Sequence, residues 1–261
     1  MSVERLVDQV AVITGGGSGL GRATAVLFAE EGAKVIVADI DAESADETVD
    51  LIKSRAGYAT AVATDVSSAA SAENLATSAI EQHGRIDILV NNAGIRGMGA
   101  VLDLSEEQWD STLGINLKGM FLCSKYVLPT MVRQQQGNIV CVSSVSGVAG
   151  QMGQAAYNAA KHGAIGLARC MAADHASDGI RVNVICPGLM NTPMLADISE
   201  EDMKQYHNMN LFNRWAEPRE VAYTILHLAS DESSFLTGAV IMADGGSTSS
   251  YILSLERNMR V

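Results

Sequence analysis

Short runs of β-branched and aliphatic residues alternate along the chain with longer stretches whose apolar positions recur at helical spacing. The runs Val10–Thr14, Lys34–Asp39, Tyr58–Thr64, Ile86–Asn91, Asn138–Ser143, Ile180–Ile185 and Ala239–Ala243 predict seven strands. Helical periodicity predicts helices near Leu20–Glu31, Ala42–Lys53, Ser71–His83, Gln108–Gln134, Gln154–Ser177 and Pro218–Ser230. Strands that are apolar on both faces and separated by helices imply a parallel sheet covered on each side. Right-handed crossovers then give an α/β, doubly wound, mostly parallel seven-stranded sheet, with ligands expected at the carboxyl ends of its strands. No repeat or linker-like tract interrupts the alternation, and four prolines leave little room for a hinge. One domain over residues 1–261 is expected.

One segment breaks the pattern. From Gly188 to Trp215 the chain runs through Met203, Tyr206, Met209 and Phe212 amid polar residues, which suggests a lid over about 188–215. The tail 247–261 carries Tyr251, Ile252, Leu253 and Leu255, a pattern expected to pack on a neighbouring subunit.

Charge narrows the function classes. Eighteen basic against 30 acidic residues give −12, which opposes generic binding to nucleic acid or anionic membranes. Cys123, Cys141, Cys170 and Cys186 stand far apart, without C-x-x-C or zinc-ligand spacing, and read as free thiols in a reducing compartment. The five histidines show no ligand spacing either; His162 reads as a helix-surface residue, and no metal is expected. The N-terminus does not read as a signal peptide, and no apolar run reaches the ~18 residues of a membrane span. A cytoplasmic location is expected.

The first strand is followed by Thr14-Gly15-Gly16-Gly17-Ser18-Gly19-Leu20-Gly21 and then a helix. Glycines here allow positive φ and close approach of a pyrophosphate, which the helix N-terminus attracts. Nucleotides, S-adenosylmethionine and flavins all use such turns, whereas a P-loop would need Gly-Lys-Ser/Thr. Asp39 ends the second strand, where a carboxylate can accept from both hydroxyls of an adenosine ribose and would repel a 2′-phosphate. Ser18 and Ile40 supply no cation to offset that repulsion, so NAD is favoured over NADP. Asp65-Val66 follows the third strand within reach of the adenine, and Asn91-Asn92-Ala93-Gly94 lies at the switch point.

Chemistry is suggested by Tyr157 and Lys161, whose i, i+4 spacing puts phenol and ammonium on one helical face. An ammonium about 5 Å away, at an effective dielectric of ~20, favours phenolate by roughly 3 kcal/mol, or about two pKa units. The phenol would then exchange a proton with a substrate hydroxyl. Ser144 ends the fifth strand thirteen residues earlier, at the same sheet edge.

The ordered set TGGGSGLG, Asp39, Asp65-Val66, NNAG, Asn116, Ser143-Ser144, YNAAK and Pro187-Gly188 resembles the single-domain, NAD-dependent short-chain dehydrogenases/reductases, from Val10 to about Gly246. The resemblance implies a Rossmann-type fold and a catalytic set in which Tyr157 is the acid/base and Ser144 orients the substrate oxygen. It further implies that Lys161 grips the nicotinamide ribose and lowers the tyrosine pKa, that Asn116 holds a water for proton relay, and that Thr192 lies near the carboxamide. Gly15, Gly17, Ser18, Gly19, Leu20, Ile40, Val66, Asn92, Ala93, Gly94, Pro187 and Gly188 complete the expected cofactor contacts. The thirteen-residue separation selects Ser144 over Ser143. A homotetramer joined through Gln108–Gln134, Gln154–Ser177 and the last strand is also implied.

Substrate contacts are expected from Arg96, Met98, Val145, Ser146, Gln151, Leu189, Met190 and the lid, a mostly apolar and flexible lining suited to a small or medium secondary alcohol or ketone. Arg96 is the outlier and would meet a carboxylate or other polar end of the substrate; a solvated loop arginine is the plainer reading. Two other classes share part of the pattern: a non-catalytic NAD-binding sensor, and a Rossmann methyltransferase, which gives no reason for Ser144, Tyr157 and Lys161.

Overall fold

The computed structural model describes residues 4–196 and 209–249. Its strands are β1 (Val10–Thr14), β2 (Lys34–Asp39), β3 (Tyr58–Ala63), β4 (Ile88–Asn91), β5 (Gly137–Val142), β6 (Ile180–Pro187) and β7 (Val240–Ala243). They form one sheet in the order β3-β2-β1-β4-β5-β6-β7, every neighbouring pair parallel.

The helices are α1 (Gly19–Glu30), α2 (Ala42–Ser54), α3 (Ala69–His83), α4 (Glu106–Leu113), α5 (Gly119–Gln134), α6 (Ala155–His175) and α7 (Pro218–Ala229). Successive strand residues point to opposite faces, so each strand feeds two cores. Val10 and Val12 of β1 join α3, α5 and α6 through Leu75, Val127 and Ala168. Ala11 and Ile13 join α1, α2 and α7 through Phe28, Val49 and Ile225. This two-sided burial is why the strands read as unbroken apolar runs.

Most boundaries follow the sequence pattern, and the departures have local causes. The helix expected at Ser71 begins at Ala69, because the Ser68 side chain accepts from the Ser71 N–H and caps it. The single helix expected over Gln108–Gln134 is corrected. It starts at Glu106 behind a Ser105/Gln108 capping box and is interrupted by one π-turn, Gly114–Lys118, which carries Asn116.

Chain direction around β1 creates the binding edge. The chain passes from β1 to β2 on one side, while β4 pairs on the other, so the carboxyl ends of β1 and β4 flank the switch-point crevice.

Arg181 on β6 ties the far side of this frame together. Its guanidinium donates to the carbonyls of Leu228, Ser230, Ser233 and Leu236 and to Ser233 Oγ, gathering the end of α7 and the following turn. Other donors also reach some of these carbonyls, including Asn183 Nδ2 to Leu236 and Asn138 Nδ2 to Leu228. Arg181→Met is therefore expected to cost about 2 kcal/mol rather than the sum of its bonds, read as a lower denaturant midpoint at unchanged slope.

Candidate active site

The glycine turn between β1 and α1 is fastened to the end of β4. Thr14 Oγ1 accepts from the N–H groups of Asn92 (3.0 Å) and Ala93 (3.1 Å) and donates to the Val90 carbonyl. Asn92 Nδ2 donates to the carbonyls of Thr14 (2.9 Å) and Gly15 (3.1 Å), so the second Asn of NNAG holds the turn in place. Gly15 sits at φ +64°, and a Cβ there would come within 2.9 Å of the Ala93 Cα. Ser18 caps α1 without a side-chain bond, and no acidic residue occupies the first helical turn. The helix N-terminus thus keeps the character of an anion site.

Asp39 closes β2 with one carboxylate oxygen accepting from the Gly17 N–H (2.8 Å) and the other from the Asp41 N–H (3.1 Å). Gly17 spends its N–H on Asp39 and does not line the cavity, whereas Gly15, Ser18, Gly19 and Leu20 do. Ile40 beside it is 73% exposed. Arg22 also lies below this turn, but its guanidinium is committed to Glu47 (2.8 Å), Thr48 and the carbonyls of Gly17 and Ser44. Asp65 accepts from the Ser67 backbone and hydroxyl at the end of β3, next to buried Val66.

One cavity of about 570 Å³ runs from this turn across the carboxyl edge of the sheet. Asp39, Ile40, Asp65, Val66, Asn92, Ala93 and Gly94 line it, as do Pro187, Gly188 and Thr192. Asn116, Ser144, Tyr157 and Lys161 share the same walls with Arg96, Val145, Ser146, Gln151, Leu189 and Met190. Met98 does not line it; its sulfur meets the Arg96 guanidinium from outside.

Tyr157 stands in the first turn of α6 and Lys161 one turn on, with Nζ 5.5 Å from the phenol ring centroid. Nζ donates to the Val142 carbonyl at 3.0 Å. Lys161 is 3% exposed, and burial pushes its pKa down to about 8. Burial also raises the Tyr157 pKa above its ordinary value, while the Ser144 hydroxyl and the charge of Arg96 pull it back. The expectation that Lys161 makes this phenol acidic is thereby corrected for the chain by itself. Removing water from the phenol outweighs the attraction, and the groups drawing its pKa down are Ser144 and Arg96.

The two candidate serines separate cleanly. Ser143 Oγ is spent on the Lys161 carbonyl at 2.9 Å and anchors α6 to β5. Ser144 Oγ accepts from the Ser146 N–H at 3.1 Å and faces the cavity with Tyr157. Ser146 Oγ donates in turn to Gln151 Oε1 at 2.6 Å.

The Asn116 side chain is engaged with the loop that follows β4. It is buried, and both Nδ2 hydrogens are used, on the carbonyls of Ile95 (3.1 Å) and Thr112 (2.9 Å). Its Oδ1 accepts from the Ile95 N–H at 3.3 Å. The side chain therefore clamps the loop that leads from Gly94 to Arg96.

Both ends of the expected lid meet at its base. Met190 and Ala216 form a parallel bridge, with the Asn191 N–H on the Ala216 carbonyl and the Ala216 N–H on the Leu189 carbonyl, both at 3.0 Å. Met194, Leu195, Met209 and Asn210 line the cavity above it. Met203 and Tyr206 of the expected lid and Tyr251, Ile252, Leu253 and Leu255 of the tail lie outside the described residues.

The turn after β7 went unread in the sequence. Asp244, Ser247 and Thr248 line the cavity, and Asp244 accepts from the Gly246 N–H, Ser247 Oγ, and both the N–H and hydroxyl of Thr248. Burial raises its pKa, but these donors prevail and hold it below the usual carboxylate value. An Asp-Gly-Gly at the carboxyl end of the last strand was the available signal. Among the described residues no group of three His, Cys, Asp or Glu side chains could hold a metal.

Known proteins resemble the chain over most of its length. A family model described as enoyl-(acyl carrier protein) reductase matches residues 15–248. The chain is 41% identical to the 3-oxoacyl-[acyl-carrier-protein] reductase FabG of Thermotoga maritima over 242 residues, covering 93% of this chain and 98% of that one. It is also 41% identical to the meso-2,3-butanediol dehydrogenase of Serratia marcescens, covering 94% and 97%. A solved levodione reductase superposes with a TM-score of 0.90 at 37% identity over 95% of this chain and 100% of that one. A seven-stranded parallel sheet, a glycine turn at its switch point and Ser144, Tyr157 and Lys161 in one cavity belong together for a stated reason: the chain is an oxidoreductase of the short-chain dehydrogenase/reductase family.

Proposed function

We propose that the chain transfers a hydride reversibly between NAD(H) and a secondary alcohol or ketone, with Tyr157 as acid/base. The observation that carries this reading is that Ser144, Tyr157 and Lys161 share the wall of the cavity whose other end is the glycine turn. Relatives named for a butanediol dehydrogenase and a levodione reductase support the substrate class.

The residues fit a dinucleotide. The α1 N-terminus and the Gly15 backbone suit the pyrophosphate, and the Asp39 carboxylate suits the hydroxyls of an adenosine ribose. Arg22 offers little to a 2′-phosphate, since its charge is already matched by Glu47. When bound, the nicotinamide accepts the hydride in oxidation and supplies it in reduction. Tyr157 takes the hydroxyl proton as the carbinol becomes a ketone, and returns it in the reverse direction. Ser144 donates to the same oxygen and fixes it against the phenol. Lys161, held through Nζ on the Val142 carbonyl, is one helical turn away and suits the nicotinamide ribose.

Purified protein given NAD or NADP with a panel of secondary alcohols is expected to generate reduced nicotinamide absorbance, with NAD preferred. Absence of turnover with every alcohol and with both cofactors would remove the reading. A homotetramer is proposed as well, because exposed apolar side chains accompany the faces expected to join subunits: Trp109 on α4, Phe121 on α5 and Phe235 before β7. Among the described residues no helix is long and apolar enough to cross a membrane.

A further inference from the structure

Arg96 has no task in the hydride-transfer reading, yet the structure places it with care. On one side, both main-chain polar groups of Ile95 are tied to Asn116. On the other, buried Gly97 packs so closely on Thr112 that a Cβ there would lie 2.5 Å from Thr112 Oγ1. The backbone carrying Arg96 is therefore fixed from both neighbours, as a residue that must aim a side chain requires.

That side chain is half-buried in the wall it shares with Ser144 and Tyr157. Among the described residues its guanidinium hydrogen-bonds only to Met98 Sδ, at 3.4 Å, and pairs with no carboxylate. A thioether is a weak acceptor, so most of its N–H donors are unspent on the described residues. Arg5, Arg22, Arg55, Arg85, Arg214 and Arg219 show the contrast, each paired with a carboxylate at 2.5–2.8 Å. A chain of net charge −12 has carboxylates to spare, and among the described residues none is set against this one. The same cavity is lined by apolar Ile95, Val145, Leu189, Met190 and Met194 as well as polar Ser146 and Gln151. A planar cation with open donors at the substrate end of this cavity matches a single carboxylate, taken in a two-pronged hydrogen bond, at the end of a short carbon chain.

We infer that Arg96 selects substrates bearing a carboxylate, so that the alcohol is a secondary hydroxy acid and the ketone a keto acid. The inference rests on the hydride-transfer reading and deepens it. The carboxylate is unchanged in the reaction: the carbinol carbon gives its hydride to the nicotinamide, and its hydroxyl proton goes to Tyr157. The guanidinium also favours the Tyr157 phenolate.

The test compares 3-hydroxybutanoate, 4-hydroxypentanoate and 5-hydroxyhexanoate with their methyl esters on wild type, Arg96→Met and Arg96→Lys. At one or more of these spacings the wild type is expected to favour acid over ester by about 10- to 100-fold in kcat/KM, mainly through KM. R96M is expected to lose that preference and R96K to keep part of it. Pentanoate, which has no hydroxyl to oxidise, is expected to compete with substrate in the wild type and to weaken in R96M. An acid-to-ester ratio unchanged in R96M, a wild type that favours the esters throughout, or one that pentanoate does not inhibit would overturn the inference. If the wild type oxidises other alcohols but none of these six, the inference alone fails; if it oxidises none at all, the hydride-transfer reading fails with it.

Discussion

Tyr157→Phe is expected to lower kcat by about 10³- to 10⁴-fold, or roughly 4–5 kcal/mol of transition-state stabilisation, while leaving NAD affinity within a few-fold. The ring still packs under Lys161 Nζ, so the substitution removes the exchangeable proton and little else. Burial raises the phenol pKa in the chain by itself, because the charged form loses water. Oxidation needs the phenolate, so its rate is expected to climb with pH through the phenol's titration and then level. Ser144→Ala removes a hydroxyl that draws this pKa down, and its rising limb is therefore expected at higher pH than in the wild type. Steady-state rates across pH, with NAD binding followed separately, check all three statements. A Y157F enzyme retaining a tenth of wild-type kcat would mean that another group moves the proton.

Gly21→Ala is expected to be the most damaging single methyl group in the cofactor half. A Cβ at Gly21 would fall onto the Gly15 carbonyl and lie 2.6 Å from Asn92 Nδ2. The obstacle is main chain, and that carbonyl is already held by the Asn92 amide, so the strain has no flexible side chain to absorb it. Overpacking of this kind costs about 3 kcal/mol, which in a chain of this length lowers Tm by about 6–12 °C. The same displacement carries the Gly15 turn away from its approach to Ala93, so dinucleotide affinity should fall along with Tm. Calorimetry with and without NAD separates the two effects.

The sequence displayed the frame of this site more fully than its wiring. β1 and β2 fall on their expected residues because alternate burial on two faces leaves an unbroken apolar run. That Ser144, Tyr157, Lys161 and Asp39 gather at one cavity was legible because each was read at or near the carboxyl edge of the sheet. Long-range hydrogen bonds were not legible, since composition and spacing give no sign of them. The Gly17 N–H goes to Asp39, 22 residues on, and Asn116 reaches back 21 residues to Ile95. The π-turn around Asn116 was hidden for a related reason: its residues keep helical periodicity while the hydrogen-bond spacing changes. The direction of the Tyr157 shift differs from the expectation because an estimate from charge separation omits the cost of taking the phenolate out of water.

The bridge between Met190 and Ala216 has a consequence for how such an enzyme can change. Two main-chain bonds close the neck of the insertion next to β6 and α7, so the strand and the helix hold their places whatever chain is threaded between them. Lengthening that stretch adds only a slowly growing entropic cost once its ends are pinned. Selectivity for one substrate over another can therefore be rewritten as a cassette between the two anchors, while Ser144, Tyr157, Lys161 and the glycine turn stay as they are.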